Sequence, residues 1–316
     1  MGRRAEGVPD QPRRRGAAGG RPTRKNHAYV GSPAAAGISY TPAHMLSDVP
    51  NQFRIDISDP RAVREKFIPI VMAGGKGMRE DVKAVYTRLR DDAAAYYRDA
   101  AEHYCTLRQQ TMRIRTPDSA INLAFEWAKV AYDNLFVENP DLGLGMVAGL
   151  GPSGSGGRPG FGWFFGGDAY INSLSLNSLG MTLWTRDALA FTQKWQREDG
   201  KMAHELSQAA GYIDWWKEYP YGYIHGDTSP FYICAVADYV RATGDVESLK
   251  KSWESVKRAY AWSKSTDENV DGLMDNKKAG LGALEYGPLT DIQSDVYTGA
   301  VWVKAAQEIA KLAEAV

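Results

Sequence analysis

The sequence predicts an all-α protein whose unusual chemistry sits in its loops. Three observations carry that reading. Beyond residue 80 apolar residues recur at intervals of three and four, strand-like alternation is scarce, and capping residues punctuate the recurring stretches. The 316 residues are enough for about two domains and a sizeable core. With 38 Lys+Arg against 38 Asp+Glu, no global field draws the molecule to polyanions, so neither nucleic acid nor a membrane is expected as a partner. Cys105 and Cys234 match no metal or redox spacing, which fits a reducing, cytoplasmic setting. The longest apolar run, Phe231 to Ala237, is far below the roughly 18 residues of a membrane span.

In chain order, residues 1–45 form a separate regime. Residues 1–25 carry eight Arg+Lys and two Asp+Glu, and the whole stretch is rich in Arg, Gly, Pro and Ala with almost no large aliphatics. It is expected to be disordered, because it buries too little apolar surface to offset its ordering entropy. No apolar stretch follows the arginines, so a signal peptide is not indicated. From Asp81 to about Met112, Val82, Val85, Leu89, Ala93, Tyr96, Ala100, Tyr104 and Leu107 predict one long amphipathic helix. Thr116 as N-cap and Pro117 at the first helical position open a second, with Ile121, Phe125, Ala128, Tyr132 and Leu135 as its stripe and Asn139-Pro140 as its stop. Further helices are expected near 168–180, 185–198, 228–243, 246–264 and 294–315. Gly244-Asp245 reads as a C-cap glycine followed by an N-cap aspartate.

Some motifs resemble chemistry without supporting it. Gly149 to Gly154 matches GxGxxG, but Ser155-Gly156-Gly157-Arg158-Pro159-Gly160 behind it cannot open the helix that a pyrophosphate needs. Gly74-Gly75-Lys76-Gly77 lacks P-loop spacing and reads as a turn. His204-Glu205 has no second histidine at zinc-protease spacing, so no metal site and no cofactor are expected.

Four loop clusters mix carboxylates with aromatic residues, the combination a sugar site uses: ring faces for C–H surfaces and charged acceptors for hydroxyls. The first runs from Pro159 through Trp163 and Phe164 to Asp168, which is either a ligand or simply an N-terminal helix carboxylate. The second is Gly200 to Glu205, where Glu205 either faces a ligand or pairs with Lys201. The third, Trp215 to Pro230, is too aromatic for an ordinary connection, and Asp227 has a capping role open to it. The fourth is Gly280 to Gly287, followed by Asp291, Ser294 and Asp295. There Glu285 is either a solvated surface residue or, flanked by Leu284 and Tyr286, a desolvated acid.

The run Arg158-Pro159-Gly160-Phe161-Gly162-Trp163-Phe164 into Asp168, Gly200-Lys201 with His204-Glu205, and Asp227-Thr228-Ser229-Pro230, with Asn139-Pro140-Asp141-Leu142-Gly143, Arg241-Ala242-Thr243-Gly244-Asp245 and Asp271-Gly272-Leu273-Met274-Asp275, resemble the six-hairpin glycosidases over roughly residues 90 to 316, most closely the amylo-α-1,6-glucosidase or glycogen-debranching type. The resemblance implies an (α/α)6 toroid and inverting hydrolysis of α-linked glucose in an oligosaccharide or polysaccharide, without a metal. It makes Glu285 the expected general acid and Trp163, Phe164, Asp168, His204, Glu205, Asp227, Thr228 and Asp295 the expected substrate-binding residues. Relatives often carry Arg-Asp where this chain has Gly167-Asp168. It also implies a partial barrel over 116–316, a linker helix over 81–115, a remnant domain or linker over 46–80, and a second catalytic carboxylate beyond Val316. Trp163, Asp168 and Asp227 are expected to share one mouth. The competing function is a helical domain that binds carbohydrate without catalysis. A helical solenoid would show a repeated unit, and none is found.

Overall fold

In a computed structural model of the protein, residues 26–40, 51–57, 59, 61, 67–150, 161–282 and 285–316 are described. Among the described residues the protein is mostly helical, with 58% helix and ten helices. Two compact units divide it, Met1–Cys105 and Thr106–Val316. Among the described residues no helix is long and apolar enough to cross a membrane.

The first unit contains strands where disorder was expected. Strand β1 (Asn26–Gly31) and hairpin partners β2 (Gly37–Tyr40) and β3 (Asn51–Arg54) precede β4 (Val71–Lys76), which pairs antiparallel with β1. Composition misled here because β1 finds its hydrogen-bond partners and its apolar cover some 45 residues away. Tyr29 and Ala73 pack with Val82 of α1 (Arg79–Asp91), and Arg79 donates to the Tyr29 hydroxyl at 3.0 Å. Gly74 and Gly75 lie within β4 and not in a turn. The rest of the expected disordered stretch, residues 1–25 and 41–45, lies outside the described residues, as do residues 151–160 of the GxGxxG segment.

The long helix expected from Asp81 is two, α1 and α2 (Ala93–Gln110), separated at Asp92. The Asp92 backbone leaves helical geometry (φ −106°, ψ 17°), a break that short polar side chains favour over helix interiors. The division between the units falls inside α2.

In the second unit α3 (Ser119–Asn134) is capped by Asp118, whose carboxylate accepts from the N–H groups of Ala120 and Ile121, and not by Thr116. Thr116 instead spends its hydroxyl on the Asp118 backbone. The buried residue of α3 is Lys129, paired with Glu126 at 3.0 Å and donating to the Met112 carbonyl, while Ile121 of the expected stripe is exposed. The helix ends before Asn139-Pro140, which forms the turn of a hairpin between β5 (Phe136–Asn139) and β6 (Gly143–Met146).

The remaining elements follow as β7 (Phe164–Phe165), α4 (Gly166–Ser178), α5 (Thr182–Gln193), β8 (Glu205–Leu206), the short α6 (Trp215–Glu218), α7 (Thr228–Thr243), α8 (Val246–Lys264), the short α9 (Asn276–Ala279) and α10 (Val296–Ala315). Helices α4, α7 and α10 pack side by side as an inner row; α5 covers α4 and α7, and α8 covers α7 and α10. The apolar run Phe231 to Ala237 is the buried middle of α7, where Tyr232 and Ile233 are wholly inaccessible. Gly244 closes α7 with a left-handed φ of 70°, and Asp245 opens α8 by accepting from Ser248 N–H at 2.9 Å, as the sequence predicts.

Candidate active site

The inner helices begin at the same place as the carboxylates. Asp168 lies in the first turn of α4, Asp227 at the N-cap of α7, and Asp295 and Tyr297 at the start of α10, where unpaired helix N–H groups favour negative charge. Loops are laced across these ends. Gly166 N–H donates to the His204 carbonyl at 2.9 Å, Met202 N–H to Ser229 Oγ at 2.9 Å, and Gly226 N–H to the Leu281 carbonyl at 2.8 Å. The close approach needs glycine at two positions in particular. A Cβ on Gly166 would sit 2.5 Å from the Ala203 carbonyl oxygen, and one on Gly280, whose φ is +108°, would collide with the Ile224 carbonyl.

His225 is the hub. Its Nδ1 lies 3.3 Å from Asp227 Oδ1 and its Nε2 lies 3.4 Å from Glu285 Oε1, while its ring stacks on His204 at 3.8 Å between centroids and 16° between planes. Burial, the neighbouring His225 and the Lys201 charge push His204 down to about 3, so its imidazole is neutral. Asp168 keeps a solvent-exposed face, but the atoms crowding it raise its carboxyl above the usual range. Asp227's charge adds to that rise; Asp168's own backbone N–H and His225 oppose it. Tyr297 is pushed up to about 12 by burial, then by the charge of Asp227.

Lys201 is buried beneath the loops. Its ammonium donates to the Ala279 carbonyl at 2.6 Å and rests 4.8 Å from the centre of the Trp262 ring, and burial lowers its pKa to about 8. It therefore holds the loop that leads to Glu285.

The expected site residues separate into groups. Asp168, His204, Asp227 and Glu285 come together. Asp227 makes no capping hydrogen bond, and its Oδ1 is buried without a hydrogen-bond partner, so capping does not account for it. Glu285 is not desolvated: 55% of its side chain is exposed, and Tyr286 beside it is exposed too. Leu284 lies outside the described residues. Thr228 is buried with its hydroxyl unpaired in the first turn of α7. Asp295 is a cap, accepting from Thr298 N–H at 2.8 Å and from Asn276 Nδ2 at 2.9 Å; burial alone would raise its carboxyl, but these bonds outweigh it and lower the pKa. Glu205 is buried in β8, and its backbone carbonyl accepts from the Trp215 indole.

Phe164 corrects the expectation of a sugar-stacking ring. It is 3% exposed and packs on Phe191 at 4.4 Å, because the β7–β8 pairing turns it inward. Trp163, half-buried, packs edge-on against the rings of Trp215 and Tyr219 in an aromatic cluster.

Sequence reasoning gave no role to His225 or Tyr297, and offered Lys201 only as an ion-pair partner for Glu205. For His225 the available signal was His-x-Asp just before a helix start, and for Tyr297 its place two residues after a cap. A groove of about 540 Å³ runs along α10 from Asp295 to Gln307, lined by Leu273 and Val303, but it contains none of Asp168, His225 or Asp227. It is an apolar helix flank, and the titratable chemistry lies at the helix ends. Neither protein-family models nor curated proteins give a match to this chain.

Proposed function

We propose that the protein is a glycoside hydrolase of the six-hairpin type that acts on α-linked glucose, in the manner of the amylo-α-1,6-glucosidases of cytoplasmic carbohydrate metabolism. The observation that carries this reading is the meeting of Asp168, Asp227 and Glu285 around His225, in the loops whose sequences resemble that family. The inner row α4, α7, α10 with α5 and α8 outside is compatible with successive hairpins of an (α/α)6 toroid.

In this reading Glu285 on the rim protonates the leaving oxygen, and its exposure leaves the acid open to an incoming chain. Asp168 and Asp227 accept from sugar hydroxyls, and neutral His204 offers one donor and one acceptor. Inversion requires a second carboxylate roughly 6.5–9.5 Å from the acid, with water between them.

The test is hydrolysis of isomaltose, panose and an aryl α-glucoside by a parent enzyme that supplies both carboxylates of the inverting pair, with the anomer of the released glucose followed by NMR. Initial release of β-glucose is expected, and Glu285→Gln lowers kcat at least ~10²-fold on the disaccharide with KM little changed. The exposure of Glu285 favours one second reading, a domain that binds carbohydrate without catalysis. Oligosaccharide binding by calorimetry with no glucose release selects it.

A further inference from the structure

His204, His225 and Glu285 are 20 or more residues apart in the chain, yet each offers a ligand atom within 4.8 Å of the other two. We propose that these three side chains form a site for a divalent cation of the zinc class, and that its occupation turns the sugar site off. The inhibitory half of this proposal rests on the glycosidase reading; the cation site does not.

Three features point to the ion. The first is spacing. With metal–ligand bonds of ~2.0–2.1 Å at tetrahedral angles, neighbouring ligand atoms are about 3.3 Å apart. His225 Nε2 and Glu285 Oε1 are 3.4 Å apart, so that edge of the tetrahedron is already set. The His204 ring lies 16° from parallel to that of His225, so it completes the face by turning out of the stack until its lone pair meets that of His225, its nitrogen moving inward by up to about 1.5 Å, and three protein ligands then leave a fourth position for water.

The second feature lies behind the ligands. Asp227 is 8% exposed, its Oδ1 has no hydrogen-bond partner, and that oxygen faces His225 Nδ1 at 3.3 Å. A carboxylate on the far nitrogen of an imidazole fixes the ring orientation and raises its basicity toward a metal, which is the usual outer shell of a metal-bound histidine. The third is charge. Asp168, Asp227 and Glu285 surround the site, whereas the Lys201 ammonium is turned to the Ala279 carbonyl. Two imidazole nitrogens with one carboxylate oxygen select zinc over calcium or magnesium, which take all-oxygen shells. A Glu285 carboxylate bound to the cation has no proton to deliver, and the ion occupies the space of the glycosidic oxygen.

The experiment uses the full, untagged chain stripped with a chelator and titrated calorimetrically with zinc chloride alone. One equivalent should bind, with Glu285→Gln and His204→Gln each weakening it at least tenfold and Asp227→Asn by 10- to 100-fold through the outer shell. Cobalt(II) in the same site should give the intense visible bands of four-coordination. Because His225 is buried and its variants are liable to unfold, the exposed Glu285 carries the test. Absence of stoichiometric zinc binding, affinity unchanged in Glu285→Gln, or equal affinity for magnesium or calcium would overturn the site. If zinc binds as described but glucose release continues at full rate, the inhibitory role fails while the site stands. If no sugar is ever hydrolysed, the glycosidase reading fails and the zinc titration still reads the site.

Discussion

On the floor of the candidate site Asp227 is 8% exposed at the head of α7, whereas on the rim Glu285 leaves 55% of its side chain in solvent and Tyr286 beside it leaves 86%. Both carboxylates face the same imidazole, from opposite edges. The floor grows out of three packed helices, so its polar groups are held by a core in which Tyr170, Tyr232 and Ala305 are inaccessible. The rim hangs from a loop that Lys201 on Ala279 and the bridge between His225 and Leu281 grip at its start. Rigidity is thus concentrated where ligands are oriented, and openness where a chain must enter.

Breaking the grip should have the largest effect. Gly280→Ala places a side chain at φ +108° against the Ile224 carbonyl, and a loss of ~3 kcal/mol is expected from strain and displacement. Urea unfolding checks it. An unchanged midpoint would mean that the loop is free of the floor.

Lys201→Met tests the same tie through pH. The folded pKa of Lys201, about 8, lies below the ordinary 10.5, so between these values the unfolded chain binds more protons and wild-type stability rises with pH. The gain is at most roughly 3 kcal/mol. Relative to Lys201→Met, the wild type should therefore gain stability from pH 8 to 10. The comparison stops there because Tyr297, raised to about 12, acts in the opposite direction above pH 10. Parallel unfolding profiles for the two proteins would disprove the buried charge.

Asp245 is the control for a carboxylate that only caps. Ser248, by hydroxyl and N–H, and Tyr239 hold it at about 2, so its contribution is present above the ordinary carboxyl range and lost as pH falls toward 2. Asp245→Ala should cost ~1 kcal/mol at neutral pH. The smallest effect belongs to the rim: Glu285→Gln should leave stability within about 0.5 kcal/mol, as an exposed substitution does, while removing activity. A large loss of stability would show that its contact with His225 supports the fold.

Helices α7 and α8 were legible to the residue, because a left-handed glycine, a cap aspartate and a 3.6-residue apolar period all act within a few positions of one another. The break at Asp92 and the cap at Asp118 were less legible, since two local hydrogen-bonding schemes compete there and the surroundings choose between them. Strand β1 was hidden because its partner lies some 45 residues downstream. In the site, Asp168, His204, Asp227 and Glu285 stood out as charged or polar groups in aromatic, glycine-rich loops. The desolvation expected of Glu285 did not appear, because neighbours in sequence do not determine which way a loop faces.

By itself, then, the sequence determined the helical character of the chain, the Gly244-Asp245 junction between α7 and α8, and the loops in which carboxylates gather, all of which depend on spacings of four residues or fewer. Tertiary structure alone decided that Phe164 goes to the core, that Lys201 is buried against Ala279 and Trp262, and that His225 stands between Asp227 and Glu285 with His204 against its face. Those outcomes depend on distances between residues up to 81 positions apart, from His204 to Glu285, and on burial. Only the packing of the inner helices sets either of them.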